Sequence, residues 1–104
     1  MKLTKLLERL EYRCLQGQMD VEVRDIINDS RKAGEGSLFF CIKGAVTDGH
    51  KYAAQVAKAG AKVLIVEEAV DVPQDVTVIR VKDSRYAMAL ISAAFYGYPA
   101  EQMK

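Results

Sequence analysis

The sequence has few of the residues that build metal sites and disulfide frameworks. Its 104 residues include two cysteines, one histidine and no tryptophan. Cys14 and Cys41 cannot form a disulfide framework and match no zinc-ligand spacing. The single histidine, His50, makes a Cys/His zinc site improbable. We therefore expect no metal in this chain and two reduced thiols in a cytoplasmic protein.

The chain also lacks an excess of charge of either sign. It has 15 Lys and Arg against 14 Asp and Glu, which gives a formal net charge of +1. Nucleic-acid binding draws on a surplus of basic residues, so no nucleic-acid partner is expected. No apolar run approaches the roughly 20 residues that span a bilayer, and the N-terminus lacks the apolar core of a signal peptide. A membrane partner is therefore not expected either.

The common catalytic motifs are missing. The sequence contains no Gly-x-x-x-x-Gly-Lys-Ser/Thr loop, so this chain cannot bind ATP by that device. Gly34-x-Gly36 lacks the third glycine of a dinucleotide fingerprint, and no Gly-x-Ser-x-Gly elbow occurs. A lone histidine in the first turn of a helix, as predicted for His50, is usually structural. We expect neither a catalytic residue nor a cofactor in these 104 residues.

What the sequence does contain is a regular alternation of apolar segments. Half of the residues are hydrophobic, which suits one small globular domain. The predicted helices are 3–11 (capped by Thr4), 50–59 and 84–96, and the predicted strands are 21–27, 37–43, 63–66 and 76–81. A helix between two buried strands is a βαβ crossover. The predicted fold class is α/β, with a small, mostly parallel sheet flanked by helices.

Two polar segments follow predicted strands. Residues 44–49 lead from the strand ending at Lys43 into a helix N-terminus, where backbone amides favour an anionic or carbonyl-bearing ligand. Ligands of open α/β sheets bind outside the carboxyl ends of the strands. Ser30 offers a hydroxyl to the same region, and Lys43 offers a positive charge. The same residue types also form turns and caps, so the residues alone leave both interpretations open.

The tripeptide Asp-Ser-Arg occurs twice, at 29–31 and at 83–85. The second copy directly precedes an apolar helix, where Asp83 or Ser84 is expected to cap the first turn. The first copy ends a strand and precedes no predicted helix. Capping therefore does not explain the first copy.

An ordered set of short motifs resembles the N-terminal domain of the Mur ligases. The motifs are Asn28–Lys32, Gly36–Phe39, Gly44, Asp48–His50 with Tyr52-Ala53, Gly60-Ala61, and Ala94–Gly97 with Pro99. The similarity extends over essentially the whole chain. It is closer to the ligases that add the third residue of the peptidoglycan stem than to those that add D-Ala-D-Ala, because Phe95-Tyr96-Gly97-x-Pro99 favours the former.

The resemblance implies one part of a cytoplasmic, three-domain, ATP-dependent amide ligase. Residues 1–98 would be the N-terminal domain, which binds the UDP end of UDP-N-acetylmuramoyl-L-alanyl-D-glutamate. Residues 99–104 would begin the linker to a missing ATP-binding central domain. ATP and Mg²⁺ would serve the full-length enzyme, and the central and C-terminal domains would be this domain's partners. The fragment alone should bind and not turn over.

The resemblance also assigns roles to individual residues. Ser30, with Asn28 beside it, resembles the serine that contacts the UDP-sugar substrate. The uridine pocket would be lined by Ala45, Val46 and Thr47, largely through backbone groups, with Arg31 and Lys43 as possible phosphate contacts. The alternatives are the ligase that adds D-Ala-D-Ala and a free-standing α/β interaction module. The identity of the added amino acid, meso-diaminopimelate or L-lysine, stays open.

Overall fold

The computed structural model describes residues 2–42 and 49–96. Its elements, in chain order, are α1 (Leu3–Leu6), β1 (Arg13–Gln16), β2 (Asp25–Ile27), β3 (Ser37–Phe40), α2 (Ala53–Lys58), β4 (Val63–Val66), β5 (Thr77–Arg80) and α3 (Ser84–Tyr96). Short 3-10 helices cover Ser30–Lys32 and Gly49–Tyr52. Across these two ranges, no helix has the length and apolarity needed to cross a membrane.

The strands form one five-stranded sheet in the order β1-β5-β4-β3-β2. Strands β2 to β5 are parallel to their neighbours, and β1 pairs antiparallel with β5 at the sheet edge. Helix α2 connects the adjacent parallel strands β3 and β4, as the predicted βαβ crossover requires. The α/β fold class and the mostly parallel sheet are confirmed.

Helices cover both faces of the sheet, and the strands are apolar on both sides for that reason. In β4, Val63 and Ile65 pack into the core beneath α1 and α3, which contribute leucines and Ile91. Leu64 and Val66 face the other way and pack with Ala53 and Val56 of α2. All four β4 side chains are fully buried.

Three predictions about the first 27 residues are wrong or only partly right. The helix expected over 3–11 ends at Leu6, and its N-cap is Lys2 without a side-chain hydrogen bond, so Thr4 is not the cap. The strand expected over 21–27 is confined to Asp25–Ile27. The edge strand β1 was not predicted.

Two glycine turns are hydrogen-bonded to each other at one end of the sheet. At the amino edge, where the parallel strands begin, the Gly36 N–H donates to the Gly60 carbonyl at 2.9 Å. Gly60 has a φ of 113°, and a Cβ placed on it would lie 2.8 Å from Glu35 Cα. Only glycine suits that position. The opposite end, where the parallel strands finish, is called the carboxyl edge below.

Candidate substrate-binding site

A cleft of about 680 Å³ lies at the carboxyl edge, between the segments that follow β2 and β3. Its polar wall is Asn28–Arg31, which follows β2. Its apolar floor consists of Phe39 and Phe40 at the end of β3, with Ile42 just after it. Its third side is formed by Tyr52, directly before α2, and Gln55 of α2. The structure therefore brings together three residues predicted for the site, Asn28, Ser30 and Arg31. The position agrees with the rule for ligands of open α/β sheets.

The polar wall is a short 3-10 helix capped by Asp29. Asp29 Oδ1 accepts a hydrogen bond from the Arg31 N–H at 3.0 Å. The Arg31 guanidinium folds back on the same carboxylate, with Nε 3.1 Å from Oδ1 and Nη2 2.9 Å from Oδ2. These side-chain and backbone hydrogen bonds from Arg31 lower the pKa of Asp29 to about 2. The expectation that capping does not explain the first Asp-Ser-Arg copy is therefore wrong, because the helix is a single 3-10 turn that apolar periodicity does not reveal.

Ser30 is half-buried on the same wall and lines the cleft. Within residues 2–42 and 49–96, its hydroxyl has no hydrogen-bond partner. A serine hydroxyl has one donor and two acceptor positions, and no described residue occupies any of them. Asp29 and Arg31 fix the backbone on either side of it. Ser30 is thus a positioned hydroxyl that is available to a ligand.

Asn28 lies at the junction of the cleft with a second, smaller cavity. It is exposed, and its Nδ2 is 3.8 Å from the Met88 sulfur of α3, a weak contact. The smaller cavity, of about 180 Å³, is lined by Asn28 and Phe40 together with Met88, Ser92 and Tyr96 of α3. Asn28 therefore lines both cavities.

The remaining predicted site residues lie outside the described part of the chain. They are Lys43, Ala45, Val46 and Thr47, which belong to residues 43–48. Their roles stay predictions. Residues 97–104, which contain the predicted domain boundary, are also outside the described ranges.

His50 has a structural role. It is 9% exposed, and its Nε2 accepts a hydrogen bond from the Glu67 N–H at 3.0 Å. A backbone N–H can only donate, so this ring nitrogen carries no proton and its lone pair is occupied. The imidazole ties the start of the helical segment before α2 to the end of β4. It is not placed as a general base.

Glu67 connects three elements at the carboxyl edge. Its Oε2 accepts hydrogen bonds from both the N–H and the hydroxyl of Ser84, each at 2.7 Å. These two bonds lower the pKa of Glu67. Asp83 caps α3 by accepting from the N–H groups of Arg85 and Tyr86 at 3.0 and 3.2 Å. The capping role predicted for the second Asp-Ser-Arg copy is confirmed for Asp83.

The described part of the cleft combines a polar wall with an apolar floor. Among residues 2–42 and 49–96, no group of three His, Cys, Asp or Glu side chains could hold a metal ion. Its floor is apolar, and its polar wall offers a hydroxyl, an amide and a guanidinium. Sequence reasoning missed Phe39, Phe40, Ile42 and Gln55 as lining residues. The pairing of β2 with β3, which sets Ile27 beside Phe39, would have pointed to Phe39.

Known proteins are similar to this chain in both sequence and fold. A family model described as "Mur ligase family, catalytic domain" matches residues 22–96. A ligase from Clostridium perfringens, named UDP-N-acetylmuramoyl-L-alanyl-D-glutamate--2,6-diaminopimelate ligase, is 40% identical over 104 residues, which is all of this chain and 22% of that protein. A protein of the same name from Bacillus licheniformis is 46% identical over 105 residues, covering all of this chain and 21% of its own length. The chain thus spans about a fifth of these curated relatives.

Solved structures give the same family assignment. A crystal structure of MurF from Acinetobacter baumannii superposes with a TM-score of 0.79 and 30% sequence identity, covering 89% of this chain and 20% of that one. MurF ligase from Thermotoga maritima in complex with ADP superposes with a TM-score of 0.60 and 25% identity, over 72% of this chain and 17% of that one. From the matched family model, the relatives and the shared fold, this chain belongs to the Mur ligase family.

Proposed function

We propose that this chain is the substrate-binding N-terminal domain of a longer, ATP-dependent Mur ligase that adds the third amino acid to UDP-N-acetylmuramoyl-L-alanyl-D-glutamate. The observation that carries the proposal is the unpartnered Ser30 hydroxyl in the carboxyl-edge cleft. The names of the relatives at 40 and 46% identity support this reaction, with 2,6-diaminopimelate as the incoming residue. The domain's part is to bind the UDP end of the substrate.

In this proposal, each part of a nucleoside diphosphate has its own contacts. Uracil presents a fixed acceptor–donor–acceptor edge, which the backbone groups of residues 45–47 can match whatever their side chains. Ser30 donates its hydroxyl to the diphosphate or the sugar. Arg31 has five N–H donors, of which Nε and one on Nη2 bind Asp29, so the others are left for a phosphate oxygen.

ATP and Mg²⁺ belong, in this proposal, to the rest of the longer protein. The sequence has no P-loop, and the described residues hold no cluster of carboxylates arranged for a divalent cation. The residues present therefore do not fit either group. This chain's contribution is confined to substrate binding and orientation.

The ligase that adds D-Ala-D-Ala is the second candidate. Its support is the superposition on MurF structures, at 30% sequence identity. The relatives at 40 and 46% identity carry the other name, and they favour addition of the third residue. A free-standing interaction module would require a natural polypeptide with no ligase domains, which the length of the relatives disfavours.

Titration with UDP tests the proposal. Isotope-labelled protein is titrated while its amide resonances are followed, with AMP as the control nucleotide. We expect shifts at Ser30 and residues 45–47 with UDP alone. Ser30→Ala should weaken binding by about 1 kcal/mol, roughly fivefold in Kd, because one neutral hydrogen bond is lost. Thr4→Val, which removes an exposed hydroxyl from α1, should leave the Kd unchanged.

Two results would contradict the proposal. One is an unchanged Kd for the Ser30→Ala variant. The other is the absence of any UDP-specific shift up to about 10 mM, which corresponds to binding weaker than roughly 3 kcal/mol. The second result counts only if the natural, longer polypeptide also fails to bind UDP, because a neighbouring domain can complete a site.

A further inference from the structure

Helix α3 has an unusual composition for a helix at the surface. It is 13 residues long and contains one charged residue, Arg85. Its inner face is accounted for, since Ala87 and Ile91 are fully buried against the sheet. A surface helix normally presents charged and polar residues on the opposite face, whereas a helix that is apolar all round is a buried one.

The outward face of α3 is an apolar stripe. Its members follow one another at helical spacing and lie on one side of the helix. We call Tyr86, Ala89, Leu90, Ala93 and Tyr96 the α3 stripe. The two tyrosines are 60% and 59% exposed, Ala89 is exposed, and Leu90 and Ala93 are half-buried. No charged residue interrupts the stripe.

Helix α2, on the other face of the sheet, shows what an ordinary outer face looks like in this protein. It also buries two residues, Ala53 and Val56. Its exposed positions include Gln55 and Lys58, and Ala54 is flanked by these polar side chains. The contrast shows that the α3 stripe is a local feature and does not reflect the overall composition.

The α3 stripe is continuous with the substrate cleft. Tyr96 lines the small cavity that also includes Asn28 and Phe40. The same Asn28 and Phe40 line the larger cleft beside Ser30. A protein surface seated on the stripe would therefore border the bound substrate.

We propose that the α3 stripe is the docking surface for the remainder of the ligase polypeptide. The inference rests on the proposed function, which requires a longer polypeptide. This chain matches only about a fifth of each curated relative. The other four-fifths of such a polypeptide would be covalently linked to this domain, and it is the occupant that we propose for the stripe. Two alanines between two tyrosines allow close approach, and tyrosine is enriched in interface cores. Docking here would bring the remainder of the ligase to the edge of the cleft.

Thiol accessibility in the natural, full-length polypeptide tests this placement. Cysteine is introduced as Ala89→Cys on the stripe or as Ala54→Cys on α2, both in a Cys14→Ser background because Cys14 is exposed and Cys41 is buried. Each maleimide labelling rate is divided by the rate of the same variant in denaturant. We expect the thiol at 89 to react about tenfold more slowly than the thiol at 54, because a packed interface excludes solvent.

Three outcomes would overturn the inference. The first is equal normalised rates at the two positions. The second is protection at 89 that disappears on dilution, because a second copy of the chain would then be the occupant. The third is a natural polypeptide that ends at residue 104. UDP binding by the same full-length protein is measured in parallel, so that failure of the proposed function (no UDP binding, protected thiol) is distinguishable from failure of the docking surface (UDP binding, labelled thiol).

Discussion

The two Asp-Ser-Arg copies have the same local structure and different surroundings. In both, the aspartate accepts a hydrogen bond of 3.0 Å from the N–H two residues later and begins a helical segment. In the second copy, Ser84 is 1% exposed and donates its hydroxyl to Glu67. In the first copy, Ser30 faces an open cleft, and its hydroxyl has no partner in the described ranges.

The difference shows that the tripeptide itself encodes only the cap. The role of each serine depends on whether a side chain at the neighbouring strand end accepts its hydroxyl. Glu67 follows β4 at the centre of the sheet and occupies the hydroxyl of Ser84. Ser30 follows β2 at the sheet edge, where a cleft is left open. The first serine is therefore available for ligand binding, and the second is a structural residue.

The largest effect separating the two copies should come from Ser84→Ala. The hydroxyl binds a carboxylate in a buried position, and its loss should lower the free energy of unfolding by about 2 kcal/mol. Ser30→Ala should change it by less than about 0.5 kcal/mol, because no protein contact is lost. Urea denaturation with an unchanged m-value measures both. Equal destabilisation by the two variants would show that the serines are not distinct.

A smaller difference is expected between the caps. Asp83→Ala removes the acceptor for two N–H groups of the 13-residue helix α3 and should cost about 1 kcal/mol in unfolding free energy. Asp29→Ala removes the cap of a single 3-10 turn and should cost less. Asn is an equally good cap, so Asp83→Asn should restore most of the loss. If Asp83→Asn is as unstable as Asp83→Ala, the loss of the negative charge causes the destabilisation, and the loss of the cap does not.

The smallest effect is a dependence of the folding stability on acidic pH. Asp29 has a pKa of about 2, against an ordinary value near 3.8. A carboxylate whose pKa is lowered by folding stabilises the protein above its unfolded pKa and loses that contribution as the pH falls through its folded pKa. The contribution of Asp29 should therefore disappear between about pH 4 and pH 2. Arg31→Gln removes the side-chain hydrogen bonds and keeps the backbone N–H, so carboxyl carbon shifts should show Asp29 titrating at a higher pH than in the unaltered protein; an unchanged titration would contradict the assigned cause.

The sequence predicted best those elements that carry their own signal. Strand β4 is apolar on both faces, and α3 starts at an Asp cap, so both were predicted with their observed bounds. Strand β1 gives no such signal, because three of its four side chains are exposed and its backbone pairing with β5 holds it in place. It even sets Arg13 directly opposite Arg80, a pairing of like charges that strand propensity would disfavour.

The same distinction applies to the site. Asn28, Ser30 and Arg31 were predicted together because they are neighbours in one motif. Phe39 and Gln55 come from separate elements and reach the cleft only through strand pairing and the position of α2. Sequence patterns report which residues are buried, and they do not report which of them meet across two elements.

The pairing of the Gly36 and Gly60 turns has a practical consequence for engineering. Any side chain at Gly60 would be destabilising for two reasons: the positive φ disfavours it, and its Cβ would lie too close to the Glu35 backbone. Because the Gly36 N–H binds the Gly60 carbonyl, a change in one turn displaces the other. A library that seeks altered ligand preference should therefore leave the amino-edge turns constant, keep Glu67 and Ser84, and randomise the cleft residues beside Ser30. In this fold, the cleft positions that can be varied for recognition lie at the opposite end of the sheet from the two glycine turns.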